Sequence, residues 1–205
     1  MVQLLITSGF IALFIFNEPL RLWVKNNGMV LLGALILSLV LVLIIVCSER
    51  ARRKFPLNFF VLFAFTIVEG FLVGVVSSVY DTNSVLLAAA ITTVICFSLT
   101  IFAFQTKIDF TGLGPYLFVA MIILFIFGLA SVFLSKWIPG AQIIYSCLGA
   151  LLFSIYLIYD TQLIIGGDHK QSISPEEYIF GALTLYLDIL NIFLKILALV
   201  GNKRE

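Results

Sequence analysis

The sequence predicts an all-α membrane protein: a bundle of seven transmembrane helices with the C-terminal helix at its centre. Three observations lead there. Of the 205 residues, 62% are hydrophobic and only 11% are charged, and the mean hydropathy is +1.17. A soluble domain carries roughly 25% charged residues and has too little interior at this size to hide such an excess, so the excess faces lipid. The apolar residues also fall into seven runs, apolar on every side. The alternating segments of about ten residues that mark a membrane barrel are missing. Finally, the last run carries the densest polar stripe. Gly181, Thr184, Asp188, Asn191 and Lys195 recur at three- and four-residue steps on one helix face, and such a stripe needs shielding from lipid.

The runs are roughly Met1–Phe16, Met29–Cys47, Phe59–Tyr80, Val85–Phe104, Tyr116–Ser135, Ala141–Ile165 and Tyr178–Val200. A span takes about 20 residues. Seven therefore use up the chain, and residues 1–205 are expected to form a single multi-pass domain. The first run is slightly short and has no flanking cation or small-residue cleavage site. It reads as a membrane helix lacking its beginning rather than a signal peptide, and the tail before it is expected to be missing too. Asn17-Glu18-Pro19 ends it, and Arg52-Arg53-Lys54-Phe55-Pro56 parts the second run from the third. Asp81-Thr82-Asn83-Ser84 caps the fourth; Pro139-Gly140 and Gly166-Gly167 bracket the sixth. Ser174-Pro175-Glu176-Glu177 is a strong helix start, with an N-cap serine, proline in the first turn and acids that suit the helix dipole.

Placement of lysine and arginine orients the bundle. The loops after the second, fourth and sixth runs hold Arg50, Arg52, Arg53, Lys54, Lys107 and Lys170. The alternate loops hold only Arg21, Lys25 and Lys136. The first set is expected on the cytoplasmic side, with the N-terminus. Lys203 and Arg204 argue the other way, so the last run either spans or re-enters.

Several function classes fall away. A net charge of +1 attracts no nucleic acid. Cys47, Cys96 and Cys147 are three widely spaced thiols in or beside apolar runs, which reads as small buried hydrophobes and not a disulfide framework. His169 stands alone, without partners for a triad or a zinc site. No glycine motif cradles a phosphate. The expectation is a non-enzyme without a resident cofactor.

Ionisable groups at membrane depth are functional candidates, because each costs at least about 2.5 kcal/mol there. Glu69 lies mid-run in the third span, on a face with Thr66, Gly70, Gly74 and Ser77 that lets a neighbour approach. Asp188 lies mid-run in the seventh span and Asp160 near the end of the sixth. Lys195 sits near a helix end, where its long side chain snorkels. The connection between the sixth and seventh runs is short, which favours antiparallel neighbours. The depths of Asp160 and Asp188 then allow them to meet. Two adjacent carboxylates repel unless they share a proton, and once ionised they offer oxygen ligands to a hard cation such as Ca²⁺.

These residues resemble a known family. Tyr159-Asp160-Thr161-Gln162-Leu163, Ser174-Pro175-Glu176-Glu177-Tyr178 and Leu185-Tyr186-Leu187-Asp188-Ile189 are similar to motifs of the Bax-inhibitor family. Arg52-Arg53-Lys54-Phe55-Pro56-Leu57-Asn58, Phe65-Thr66 to Glu69, and Phe104-Gln105-Thr106-Lys107-Ile108-Asp109-Phe110 resemble its Lifeguard branch. The resemblance implies six helices around a central seventh. It also implies a pH-sensitive calcium leak channel of intracellular membranes (Golgi, endoplasmic reticulum or endosome, with the plasma membrane as an alternative) that suppresses apoptosis. Asp160 and Asp188 become the pH and calcium sensor pair and transient Ca²⁺ ligands, with Arg52 or Arg53 as a latch to them. Glu69, Glu176 and Glu177 are the pore or accessory acids. Partners are membrane lipid, Ca²⁺, protons and apoptosis-regulating membrane proteins.

Two other functions compete. One is a non-conducting scaffold that binds death-receptor or Bcl-type proteins. The other is an intramembrane aspartyl protease, which also carries aspartates on its sixth and seventh helices. Leu185-Tyr186-Leu187 precedes Asp188 where those enzymes have Gly-x-Gly, and their Pro-Ala-Leu motif is absent.

Overall fold

The computed structural model describes residues 1–134, 140–166 and 171–204. Lys136, Pro139, Gly167, His169 and Lys170, which entered the reading of loops and orientation, lie outside the described residues. Nine α-helices are seen among the described residues: α1 (Val2–Phe16), α2 (Glu18–Asn26), α3 (Gly28–Cys47), α4 (Glu49–Arg53), α5 (Leu57–Ser77), α6 (Thr82–Gln105), α7 (Gly114–Leu134), α8 (Ala141–Ile165) and α9 (Tyr178–Val200). There are no strands among these residues, only an isolated antiparallel bridge between Tyr80 and Lys203. Six helices are long and apolar enough to cross a membrane. The 15-residue α1 counts as a seventh span only together with α2, from which it bends by 91°. At 1.5 Å per residue α1 covers about 22 Å of a hydrocarbon core near 30 Å thick. The protein is an all-α, multi-pass membrane protein.

The short helices follow from local capping. The Asn17 side chain accepts from Leu20 N at 3.0 Å with Pro19 in the first turn, so α2 starts at once where α1 ends. Ser48 does the same for α4, accepting from Ala51 N at 3.4 Å. Gly166 ends α8 with φ +64°, a left-handed conformation that a side chain would strain.

The chain divides into two compact units. The first holds residues 1–85, 174–186 and 202–205; the second holds 86–173 and 187–201. In the first, α1 lies against α5 because glycine leaves room. A Cβ on Gly74 would stand 2.9 Å from the Phe10 carbonyl oxygen and 2.8 Å from Phe14. Gln3 donates to Thr66 Oγ1 at 3.0 Å across the same contact. The start of α9 lies beside the start of α5, where Asn58 donates to the Tyr178 hydroxyl at 2.7 Å. The residues after α9 lie beside the end of α5. There Asp81 N donates to Asn202 O at 3.0 Å, and Arg204 N to Val79 O at 2.8 Å.

The last helix therefore starts beside one end of α5, and the residues after it lie beside the other, so it does not re-enter. Lys203 and Arg204 sit at the end away from the Arg50–Lys54 cluster. The Arg204 guanidinium is held there by Thr82 Oγ1 at 3.0 Å and the Ile15 carbonyl at 3.4 Å. A count of loop cations cannot register that arrangement.

In the second unit, α7 and α8 pack through Leu117, Leu124 and Leu152. Tyr159 closes over Gly114, and Tyr145 over Gly128. Among the candidate spans α9 is the most buried, with 44% of its window enclosed against 6% for α3. Within its polar stripe Gly181 and Asp188 are buried and Thr184, Asn191 and Lys195 half-buried, while α3 offers an almost wholly apolar surface. The cysteines depart from expectation. Cys47 and Cys147 are exposed and Cys96 is half-buried. A lipid-facing surface accepts a thiol as readily as an interior does, so an apolar run does not imply burial.

Candidate functional site

Asp160 and Asp188 are brought together in the second unit. They are 7% and 4% exposed, and a hydrogen bond joins their side chains. Asp188 Oδ2 is buried without a partner among the described residues. A carboxylate only accepts, so a hydrogen bond between two carboxyl groups needs a proton on one of them. The local backbone positions both groups. Asp160 lies in the penultimate turn of α8 and Asp188 near the middle of α9, at the depths that let antiparallel neighbours meet.

Around the pair the polar groups are tied down. Thr161 Oγ1 bonds back to Leu157 O, and Asn191 Nδ2 donates to Leu187 O at 2.9 Å. Sequence reasoning passed over Gln162, which is fully buried. Its Oε1 accepts from Phe110 N at 2.8 Å, and its Nε2 donates to Ile108 O at 3.0 Å and Ala103 O at 3.4 Å. One amide thus holds the turn between α6 and α7 to the helix that carries Asp160. In the sequence Gln162 stands out as an uncharged polar residue inside an apolar run and within the Tyr159–Leu163 motif, neither of which assigns it this role.

The other acids lie elsewhere. Glu69 is in the first unit and accepts from Ser38 Oγ of α3 at 2.7 Å. Glu176 and Glu177 form the 3-10 turn that opens α9. Arg53 pairs with Glu177 at 3.1 Å, Glu49 at 2.9 Å and Glu176 at 3.6 Å. Arg52 pairs with Glu177 at 3.6 Å, donates to Val46 O at 3.2 Å and lies over the Phe180 ring. Both candidate latch arginines are therefore engaged by the start of α9. Lys195 places its ammonium 3.8 Å from the Tyr145 ring centroid, with its stem against Gly149. The ammonium thus makes a cation–π contact with an aromatic side chain of α8.

No group of three or more His, Cys, Asp or Glu side chains fit to hold a metal occurs among the described residues. The aspartate pair alone offers four carboxylate oxygens, one already unpartnered. That donor chemistry suits passing contact with a hard cation and falls short of the six to eight ligands of a closed calcium site.

A family model described as "Inhibitor of apoptosis-promoting Bax1" matches residues 1–205. The chain belongs to the Bax-inhibitor family. Its relatives include protein lifeguard 3 of Mus musculus, 43% identical over 98% of this chain and 66% of that protein. The Homo sapiens protein of the same name is 42% identical over 98% of this chain and 65% of its own length. The Golgi anti-apoptotic protein of Vaccinia virus (strain Lister) is 35% identical over 98% of this chain and 82% of its own. The chain spans just under two thirds of the length of the lifeguard 3 proteins.

Proposed function

We propose that this protein is an anti-apoptotic member of the Bax-inhibitor family that lets Ca²⁺ leak from an intracellular store, with Asp160 and Asp188 as the proton-sensitive gate. The names of its relatives support a role in restraining cell death, and the viral relative's name supports a Golgi or other endomembrane location. The observation that carries the channel reading is the buried pair: two hydrogen-bonded carboxyls inside a membrane protein. With one proton between them the helices α8 and α9 are held together at this point. Loss of that proton leaves two like charges at hydrogen-bond distance, a repulsion that grows as the local dielectric falls. The helices then part, and Asp160 and Asp188 present oxygen ligands to the permeating ion. Ca²⁺ needs the ionised form, so it competes with protons. In this scheme alkaline shift favours the open state, unless protonation of Glu69 controls a second step.

The test is dye-reported Ca²⁺ flux from proteoliposomes of purified protein across about two pH units. Flux that rises with pH in the wild type supports the reading. No flux above empty liposomes at any pH defeats it and favours the scaffold reading.

A further inference from the structure

The end of the first unit farthest from Arg50–Lys54 contains a cavity of about 420 Å³ that the channel reading does not use. Three cations line it, Arg21 and Lys25 of α2 and Arg204 of the tail, against one carboxylate, Glu18. We propose that this cavity is a binding site for the phosphate headgroup of an anionic membrane lipid.

Charge is the first argument. Glu18 reaches only Arg21, at 3.9 Å, and Lys25 and Arg204 have no ion-pair partner among the described residues. Arg204 is also fixed in place. Its backbone N–H bonds Val79 O, and its guanidinium spends two donors on Ile15 O and Thr82 Oγ1. Three of its five N–H donors remain, in the fork that suits phosphate. The tail residue is thus held as one wall of the cavity by neutral oxygens, which leave its charge unneutralised.

The lining decides between a lipid and a soluble anion. Beside the charged groups the wall is mostly apolar, with Leu22, Val24, Leu31, Val75 and Val79 against the single hydroxyl of Ser78, a surface that a free phosphate would leave bare and that glycerol and the first acyl carbons would cover. The location agrees. Helix α2 bends 91° from α1, and its amphipathic nine residues join α1 to the membrane helix α3, with Leu22 and Trp23 exposed. That is the geometry of a helix lying at the headgroup level. The volume is also in the range of small-molecule sites.

The experiment uses the full chain in detergent and native mass spectrometry, titrating phosphatidylglycerol against phosphatidylcholine with the same acyl chains. The wild type is expected to retain phosphatidylglycerol preferentially. The double variant Arg21→Gln/Lys25→Gln is expected to bind it about 30-fold more weakly, from roughly a fivefold contribution per cation, with phosphatidylcholine unchanged. Arg50→Gln, at the other end of the unit, is expected to leave both unchanged. If the double variant does not purify as a single species, Lys25→Gln alone carries the test with about a fivefold loss, since Lys25 is exposed. Equal retention of the two lipids by the wild type, or equal retention of phosphatidylglycerol by wild type and variant, overturns the proposal. Displacement of phosphatidylglycerol by millimolar inorganic phosphate also overturns it, by assigning the cavity to a soluble anion.

Discussion

The hydroxyls of Thr7 and Tyr186 lie 2.7 Å apart, buried where α1 meets the first half of α9. They are 179 residues apart in sequence, yet this contact and the edge-on packing of Tyr186 against Phe65 tie three helices of one unit together. Thr7 also donates to, or shares its hydrogen with, Gln3 O at 3.0 Å, so the threonine keeps a partner when the tyrosine is changed. Tyr186→Phe is therefore expected to cost about 0.6 kcal/mol and at most about 1.7, the average and the maximum measured for interhelical hydrogen bonds within a membrane protein. Thr7→Val strands the phenol and is expected to cost more. Unfolding in a mixed-detergent titration gives both numbers; a stability unchanged in Thr7→Val would refute the importance of this link.

Asp160→Asn and Asp188→Asn are each expected to flatten the pH profile of Ca²⁺ flux, because neither leaves two carboxyls to share one proton. Less than about a twofold change over two pH units is expected where the wild type changes several-fold. If both single variants retain the wild-type profile, the sensor assignment is wrong, even if the protein conducts.

Gly74→Ala places a methyl 2.9 Å from a backbone oxygen of α1, which cannot swing aside as a side chain can. The helices must separate, at about 1–3 kcal/mol. Gly9→Ala is the control, since nothing lies within 4 Å of its added Cβ. Melting temperatures in detergent should fall for the first and stay level for the second.

The Arg53–Glu177 contact is exposed, and salt should loosen it. The hydrogen bond to Glu177, opposed by desolvation and aided by the charges of Glu49, Glu177 and Glu176, holds the Arg53 pKa above its ordinary value. A raised guanidinium keeps its proton, so its contribution is full at lower pH and is lost only as pH rises through the guanidinium range. Between about pH 6 and 9 the arginine's part is constant. The amide protection factors at residues 176–178, that is exchange corrected for its intrinsic base catalysis, should fall several-fold in Glu177→Gln and in high salt, but stay level on raising pH within that window. Protection that falls with pH there would show that another group sets the contact.

Gln162→Leu removes one acceptor and two donors from the turn before α7 and leaves Phe110 N, Ile108 O and Ala103 O to find other partners. A loss of about 2–3 kcal/mol is expected, with protease cleavage near Thr106–Asp109 appearing in the variant. Gln162→Glu keeps the acceptor and should lose less at Phe110 than at the two carbonyls, as read by exchange at the Phe110 amide.

The sequence alone determined that this chain is a helical multi-pass membrane protein, because that follows from local quantities. The free energy of placing a residue in lipid is summed along a window of about 20, and caps such as Asn17, Ser48 and Ser174 act within three residues of themselves. It also singled out Asp160, Asp188 and Glu69, since a charge inside an apolar run is visible without a partner. Tertiary structure alone decided who the partners are. Nothing in the sequence tells Glu69 to meet Ser38, Arg53 to meet Glu177, or Gln162 to hold Phe110. Only the tertiary structure showed that the last helix spans, because Asn202 and Arg204 pair with Asp81 and Val79 across more than a hundred residues. A buried polar group must find some partner, but which one depends on the three-dimensional path that brings distant segments side by side.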